Sequence, residues 1–181
     1  MTISLFRLPL LLVTAALLVP QALADNRDDI RLKSGDALDA LLSYAPGSAE
    51  LISRARGILV FPDVVEMGFG TGGLYGEGAL LVGGEPVAYY ATAADRRDEL
   101  ADAARKSEVI LFMTDDALIS FRNTVGWKDG VHGEIDLVTA DINGAIELER
   151  EEHPMLGFSF SDSELYDSID FEGTTLNRIA R

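Results

Sequence analysis

Between Gly57 and Leu81 the chain reads GILVFPDVVEMGFGTGGLYGEGALL, an apolar run that passes into Gly68, Gly70, Gly72, Gly73, Gly76 and Gly78. No helix tolerates that density, because each interior glycine costs about 1 kcal/mol relative to alanine. Glycines mostly two apart suit extended backbone that bends sharply or passes close to another segment or a ligand. The block therefore predicts β-structure at the centre of the chain. Phe61, Phe69, Tyr75, Tyr89 and Tyr90 surround it. Missing side chains beside aromatics leave room for a crossing strand or for a ligand groove.

Gly68-Phe69-Gly70-Thr71-Gly72-Gly73 formally matches the dinucleotide fingerprint GxGxxG. Its context does not fit, because Gly76 and Gly78 occupy the place where the phosphate-binding helix should begin. Without that helix N-terminus there are no free amides to hold a pyrophosphate.

Helices are expected before the block. Leu38, Leu41, Leu42 and Ala45 repeat at helical spacing within 28–44 and its C-terminal flank. Pro46-Gly47 ends that helix, and Ser48 is placed to cap a second one through Arg56. Ile58 to Phe61 reads as a short strand stopped by Pro62. Ala79 to Val82 and Val87 to Tyr90 flank Gly83-Gly84-Glu85-Pro86, a hairpin loop, so the sheet should be antiparallel. Ala94 to Lys106 carries helix formers and no β-branched residue, which predicts a helix or helical insert. Glu108 to Met113 reads as a buried strand, and Thr114 caps a helix that buries Leu118 and Phe121. Asn143-Gly144 predicts a two-residue type I′ hairpin turn, with Ile135, Leu137, Ile146 and Leu148 on its buried face. Ile169, Phe171 and Leu176 suggest a last strand pair around Gly173.

Residues 1–24 have the plan of a secretory leader: Arg7, an apolar core from Leu8 to Val19, then Ala22-Leu23-Ala24 before Asp25. Cleavage after Ala24 leaves 25–181 as one exported domain, periplasmic or secreted. That length suffices for a real core. The sequence has no cysteine, so no disulfide framework is expected. With 30 acidic against 15 basic residues, the net charge is −15. Such a field disfavours nucleic acid as a partner and opposes docking on an anionic membrane through bulk charge.

Few residues invite catalysis. His132 and His153 stand apart, with no HExxH pair, and surface or loop roles are expected for both. No serine lies in a G-x-S-x-G elbow. Asp162, Glu164, Asp167, Asp170 and Glu172 lack EF-hand spacing, which leaves a solvated acidic surface as the expectation and calcium binding as the alternative. No cofactor, metal or catalytic residue is assigned.

Taken in order, ALDALL, ARGILVFPDVVEMGFGTGGLYGEGALL, VAYY, ILFMTDDAL, GW and FEG resemble the SYLF domain family, from about Ala37 to Ile179. The resemblance implies an α+β fold built on a strongly curved antiparallel sheet or barrel-like core. The N-terminal helices and one or two further helices would pack on it. It also implies a non-enzymatic lipid-binding module. Eukaryotic members bind membranes through a basic N-terminal helix. Here that region is largely acidic, so phosphoinositide recognition does not carry over. Family members also place a strand where 95–106 is charged and helix-prone. The expected lipid contacts are apolar, at Val64, Val65, Met67, Phe69 and Tyr75, with acyl burial contributing about 0.8 kcal/mol per methylene. The alternative is an envelope scaffold that binds a protein partner through its sheet edge or acidic face.

Overall fold

A computed structural model describes residues 26–66, 73–94, 105–141, 143–146, 148, 153–161 and 171–181. In chain order these form α1 (Arg27–Tyr44), α2 (Ser48–Arg54), β1 (Gly57–Glu66), β2 (Leu74–Val82), β3 (Glu85–Ala94) and β4 (Arg105–Phe112). There follow α3 (Asp115–Asn123), β5 (Trp127–Lys128), β6 (Asp136–Leu137), β7 (Met155–Phe160) and β8 (Thr175–Ile179). The eight strands make one sheet in the order β5-β8-β3-β2-β1-β4-β7-β6. All pairs are antiparallel except the short β6–β7 pair. The fold is the expected α+β arrangement with a curved sheet, curled here into a half-barrel.

The curl begins at Pro62. A proline has no N–H to give to a ladder and is confined to edges and bulges. Yet β1 lies between β2 and β4 and continues past Pro62 to Glu66, where the sequence predicted a stop. A bulge absorbs the proline. Against β2 the register passes from Val60 opposite Ala79 to Asp63 opposite Glu77. Against β4 it passes from Phe61 opposite Glu108 to Val64 opposite Lys106. One extra residue in β1 bends the strand and raises its twist. The Pro62 carbonyl accepts a hydrogen bond from the Ser107 hydroxyl at 2.8 Å.

The glycines of β2 face this bulge. A Cβ on Gly78 would overlap the Val60 carbonyl oxygen, and one on Gly76 would lie 2.8 Å from that of Asp63. Only bare backbone fits there. The curl shows at the Thr92 Oγ1 of β3, which reaches Glu108 Oε2 of β4 at 3.5 Å although β2 and β1 lie between. A flat sheet would hold those strands about 14 Å apart.

The concave side is filled by Leu59, Phe61, Val64, Leu80, Tyr90, Ile110, Phe112, Trp127, Phe171 and Leu176. Helix α3 closes it with Leu118 and Phe121. The Phe121 ring stands 4.8 Å from those of Tyr90 and Phe112 and 5.9 Å from that of Trp127. On the convex side, α1 and α2 cover Val60, Val109, Leu111, Leu156 and Phe158 with Ala37, Leu41 and Leu51. Asp63, beside the bulge, ties this layer together by pairing with Lys33 of α1 at 2.9 Å and Arg105 of β4 at 3.1 Å.

Local signals fared unevenly. Thr114 caps α3, its Oγ1 accepting from the Ala117 N–H at 3.2 Å. Gly83 and Gly84, at φ 61° and 84°, form the tight β2–β3 turn. Ser48 opens α2 as a helical residue, with Gly47 in the cap position. Arg105 and Lys106 belong to β4 and not to a helix; 95–104 lie outside the described residues. Asn143-Gly144 is not a type I′ turn, since only Gly144 takes positive φ, at 75°. The Asp141 carboxylate decides this: its Oδ1 accepts from the N–H groups of Asn143 and Ala145 at 2.8 and 2.9 Å. Among the described residues of the expected hairpin, the pairing across the turn is the bridge from Ala140 to Ile146. After the Gly173 turn β8 pairs with β3 and β5, and Phe171 packs in the core outside any strand.

The bulge predicts opposite effects for two glycine substitutions. Gly78→Ala should destabilise the protein by about 2 kcal/mol or more, by overpacking against backbone. Gly35→Ala, in α1 with nothing within 4 Å of its Cβ position, should stabilise it by about 0.5–1 kcal/mol. Urea unfolding of both variants checks the pair.

Candidate binding site

Of the five residues expected to touch lipid, the three that are described, Val64, Val65 and Tyr75, do not share one face. Val64 points into the concave core and is fully buried. Val65 and Tyr75, direct partners across β1 and β2, point to the convex side. Met67 and Phe69 lie outside the described residues, as do Gly68, Gly70 and Gly72. Gly73 precedes β2, while Gly76 and Gly78 sit within it. A strand and not a helix follows the GxGxxG match, as its context implied. Tyr75 is committed elsewhere: its hydroxyl donates to Glu77 Oε1 at 2.8 Å. Glu77 in turn holds Arg181, whose Nε donates to Oε2 at 2.9 Å and whose Nη2 meets Oε1. Burial, then the hydrogen bond and charge of Glu77, raise the Tyr75 phenol above its ordinary pKa.

The concave interior holds an ion pair. Lys106 Nζ lies 2.9 Å from Glu108 Oε1, with side chains only 1% and 4% exposed. Both precede Ile110 and Phe112 on the inward face of β4. Thr92 approaches the second carboxylate oxygen, and Ser159, the register partner of Glu108 on β7, has a buried hydroxyl without a hydrogen-bond partner. Desolvating two charges costs several kcal/mol per ion before their attraction offsets it. The pair therefore makes a polar spot in an otherwise apolar core.

An open cleft of about 800 Å³ lies at the other end of β3 and β8. Arg27, Arg122, Arg178 and Arg181 line it together with Val87, Tyr89, Tyr90 and Val125. Three elements converge here: α1 supplies Arg27, the end of α3 supplies Arg122, and β8 supplies Arg178. The Arg27 guanidinium sits 5.9 Å from the Tyr89 ring centroid, a cation–π distance. Tyr90 reports the field of the others. Burial raises its phenol pKa, and the charges of Arg178 and Arg122 oppose that rise. Among the described residues, Arg27, Arg122 and Arg178 form no ion pair. Val125 is 97% exposed and Val87 42%. Cations and exposed apolar groups therefore share one rim of a strongly acidic protein.

No protein-family model and no curated protein matches the chain. Among the described residues no helix is long and apolar enough to cross a membrane, and no three His, Cys, Asp or Glu side chains gather as a metal site. Of the acidic run, Glu172 is exposed, and Asp162, Glu164, Asp167 and Asp170 lie outside the described residues.

Sequence reasoning missed the arginine cleft, because Arg27, Arg122 and Arg178 are scattered along the chain and only the fold groups them. It also treated the two histidines alike. His132 stays exposed in a loop, its Nδ1 accepting from the Lys128 N–H at 3.0 Å. His153 is half-buried, its Nδ1 2.8 Å from Asp136 Oδ2.

The interior pair yields a test. Lys106→Met would strand a buried carboxylate and should cost about 3–5 kcal/mol, whereas Lys106→Met with Glu108→Leu should recover most of that loss. Urea denaturation of both variants measures the difference.

Proposed function

We propose that this protein is an exported, non-catalytic lipid-binding module that docks on anionic bilayers through the cleft of Arg27, Arg122 and Arg178. The observation that carries this reading is the gathering of Arg27, Arg122 and Arg178, without an ion pair among the described residues, around exposed Val87 and Val125 in a chain of net charge −15. Guanidinium groups offer forked donors that match phosphate oxygens. Val125 and Val87 would enter the headgroup region beside them, adding apolar burial to the charge contact. The overall negative charge does not prevent this. At physiological salt the field is screened within about 8 Å, so contact is decided by the groups that touch the surface.

The resemblance to SYLF domains supports the same class of ligand, and the secretory plan of 1–24 supports export. The contact differs from the one expected from sequence. Lipid would meet charge at the rim of the half-barrel, and the apolar groups of Val64 and Val65 would remain in the fold.

Sedimentation with phosphatidylglycerol and with phosphatidylcholine vesicles tests this proposal. Binding should favour phosphatidylglycerol and weaken with salt. Basic residues near such a surface contribute about 1 kcal/mol each. Arg122→Glu with Arg178→Glu should therefore lower affinity by about 30-fold or more. No association with either vesicle, or binding indifferent to the two substitutions, would overturn the proposal. Crosslinking of the same face to an acidic protein partner, without vesicle binding, would favour the scaffold alternative.

A further inference from the structure

Tyr89 and Tyr90 adjoin in β3, so their side chains leave opposite faces of the sheet. Arg27 stands over Tyr89 on the side of α1, whereas Tyr90 belongs to the concave core under α3. The arginine cleft therefore wraps the end of the sheet, and its concave side is a smaller site of its own. Arg178 is the direct cross-strand partner of Tyr90, which puts both side chains on that face. Arg122 follows Phe121, whose ring stands 4.8 Å from that of Tyr90.

Tyr90 is only 3% exposed and lines the cleft. Its hydroxyl forms no hydrogen bond among the described residues, yet it is not sealed from solvent. A buried phenol ordinarily finds a partner. Burial raises its pKa against the charges of Arg178 and Arg122, so at neutral pH the group keeps its proton and can donate it. No aspartate or glutamate among the described residues lines this cleft, in a chain with 30 acidic residues. Two guanidinium forks and one unpaired O–H thus border the same space, with no carboxylate to occupy them.

We infer that Tyr90, Arg122 and Arg178 form a site for the terminal phosphate monoester of a lipid of the phosphatidate class. The inference rests on the membrane reading and narrows its ligand. A phosphodiester headgroup offers two terminal oxygens and one negative charge. A monoester offers three and carries about −1.5 to −2 at pH 7. Two forks and a hydroxyl match three oxygens, and charge-assisted bonds of this kind are the strong ones. Arg27, around the edge of β3, adds charge that does not distinguish the two esters.

Phosphatidylcholine vesicles carrying phosphatidate or phosphatidylglycerol, matched for surface charge, test it by sedimentation at neutral pH. Phosphatidate should bind about tenfold more tightly or better. Tyr90→Phe deletes one hydroxyl and keeps the ring that packs on Phe121. It should lower phosphatidate affinity about tenfold and abolish the preference, with urea unfolding showing that the fold persists. Glycerol 3-phosphate in solution should compete with phosphatidate vesicles, and the diester glycerophosphoglycerol should not. Equal affinity for the matched vesicles would overturn this inference and leave the membrane reading standing, whereas binding to neither would overturn both. A preference untouched by Tyr90→Phe would overturn the assignment of the site. Binding of glycerol 3-phosphate without binding of vesicles would overturn the lipid as its source.

Discussion

One extra residue in β1, set against backbone that carries no side chain in β2, is the contact from which the shape of this molecule follows. Pro62 cannot join a central ladder, and the bulge that accommodates it pushes the Val60 and Asp63 carbonyls toward Gly78 and Gly76. Larger residues at those positions would force the strands apart. With glycine there, the sheet bends until β3 and β4 face each other across the concave side. Tyr90, Phe112, Phe121 and Trp127 then fill that side as one aromatic cluster. Gly76 and Gly78 are thus a condition of curvature.

Curvature also explains where polar chemistry lies. It places Lys106, Glu108, Thr92 and Ser159 together inside, where the two charges pair with each other. Exposed cations gather at the rims. At one rim, α1, α3 and β8 bring separate arginines beside exposed valines. At another, α2 and β7 set arginines beside leucines and a methionine. In both, a few cations act locally within a chain whose average charge is strongly negative, which short-range screening permits.

Short-range rules made much of this fold legible. Thr114 followed by Asp115 and Asp116, the Gly83-Gly84 turn and the strand from Glu108 were each read from adjacent residues, because capping and turn chemistry act over a few positions. Pro62 was misread, since its effect depends on what faces it, and Gly78 lies 16 positions away. Asn143-Gly144 was misread because the Asp141 side chain competes for the turn amides. The meeting of Thr92 with Glu108, of His153 with Asp136 and of Arg122 with Arg178 depends on topology, and no spacing in the sequence announces it. The apolar residues around the glycines were identified as central, yet period-two alternation sends Val64 and Val65 to opposite faces. Those two valines therefore do not share a face.

The account stands on the curl of the sheet. A nuclear Overhauser measurement between the Thr92 methyl protons and the Glu108 side-chain methylenes tests it most directly. The half-barrel predicts a clear cross-peak between these residues of β3 and β4. Absence of that cross-peak, with the β1–β2 and β1–β4 ladder contacts intact, would mean an open sheet with strands about 14 Å apart and would contradict the account.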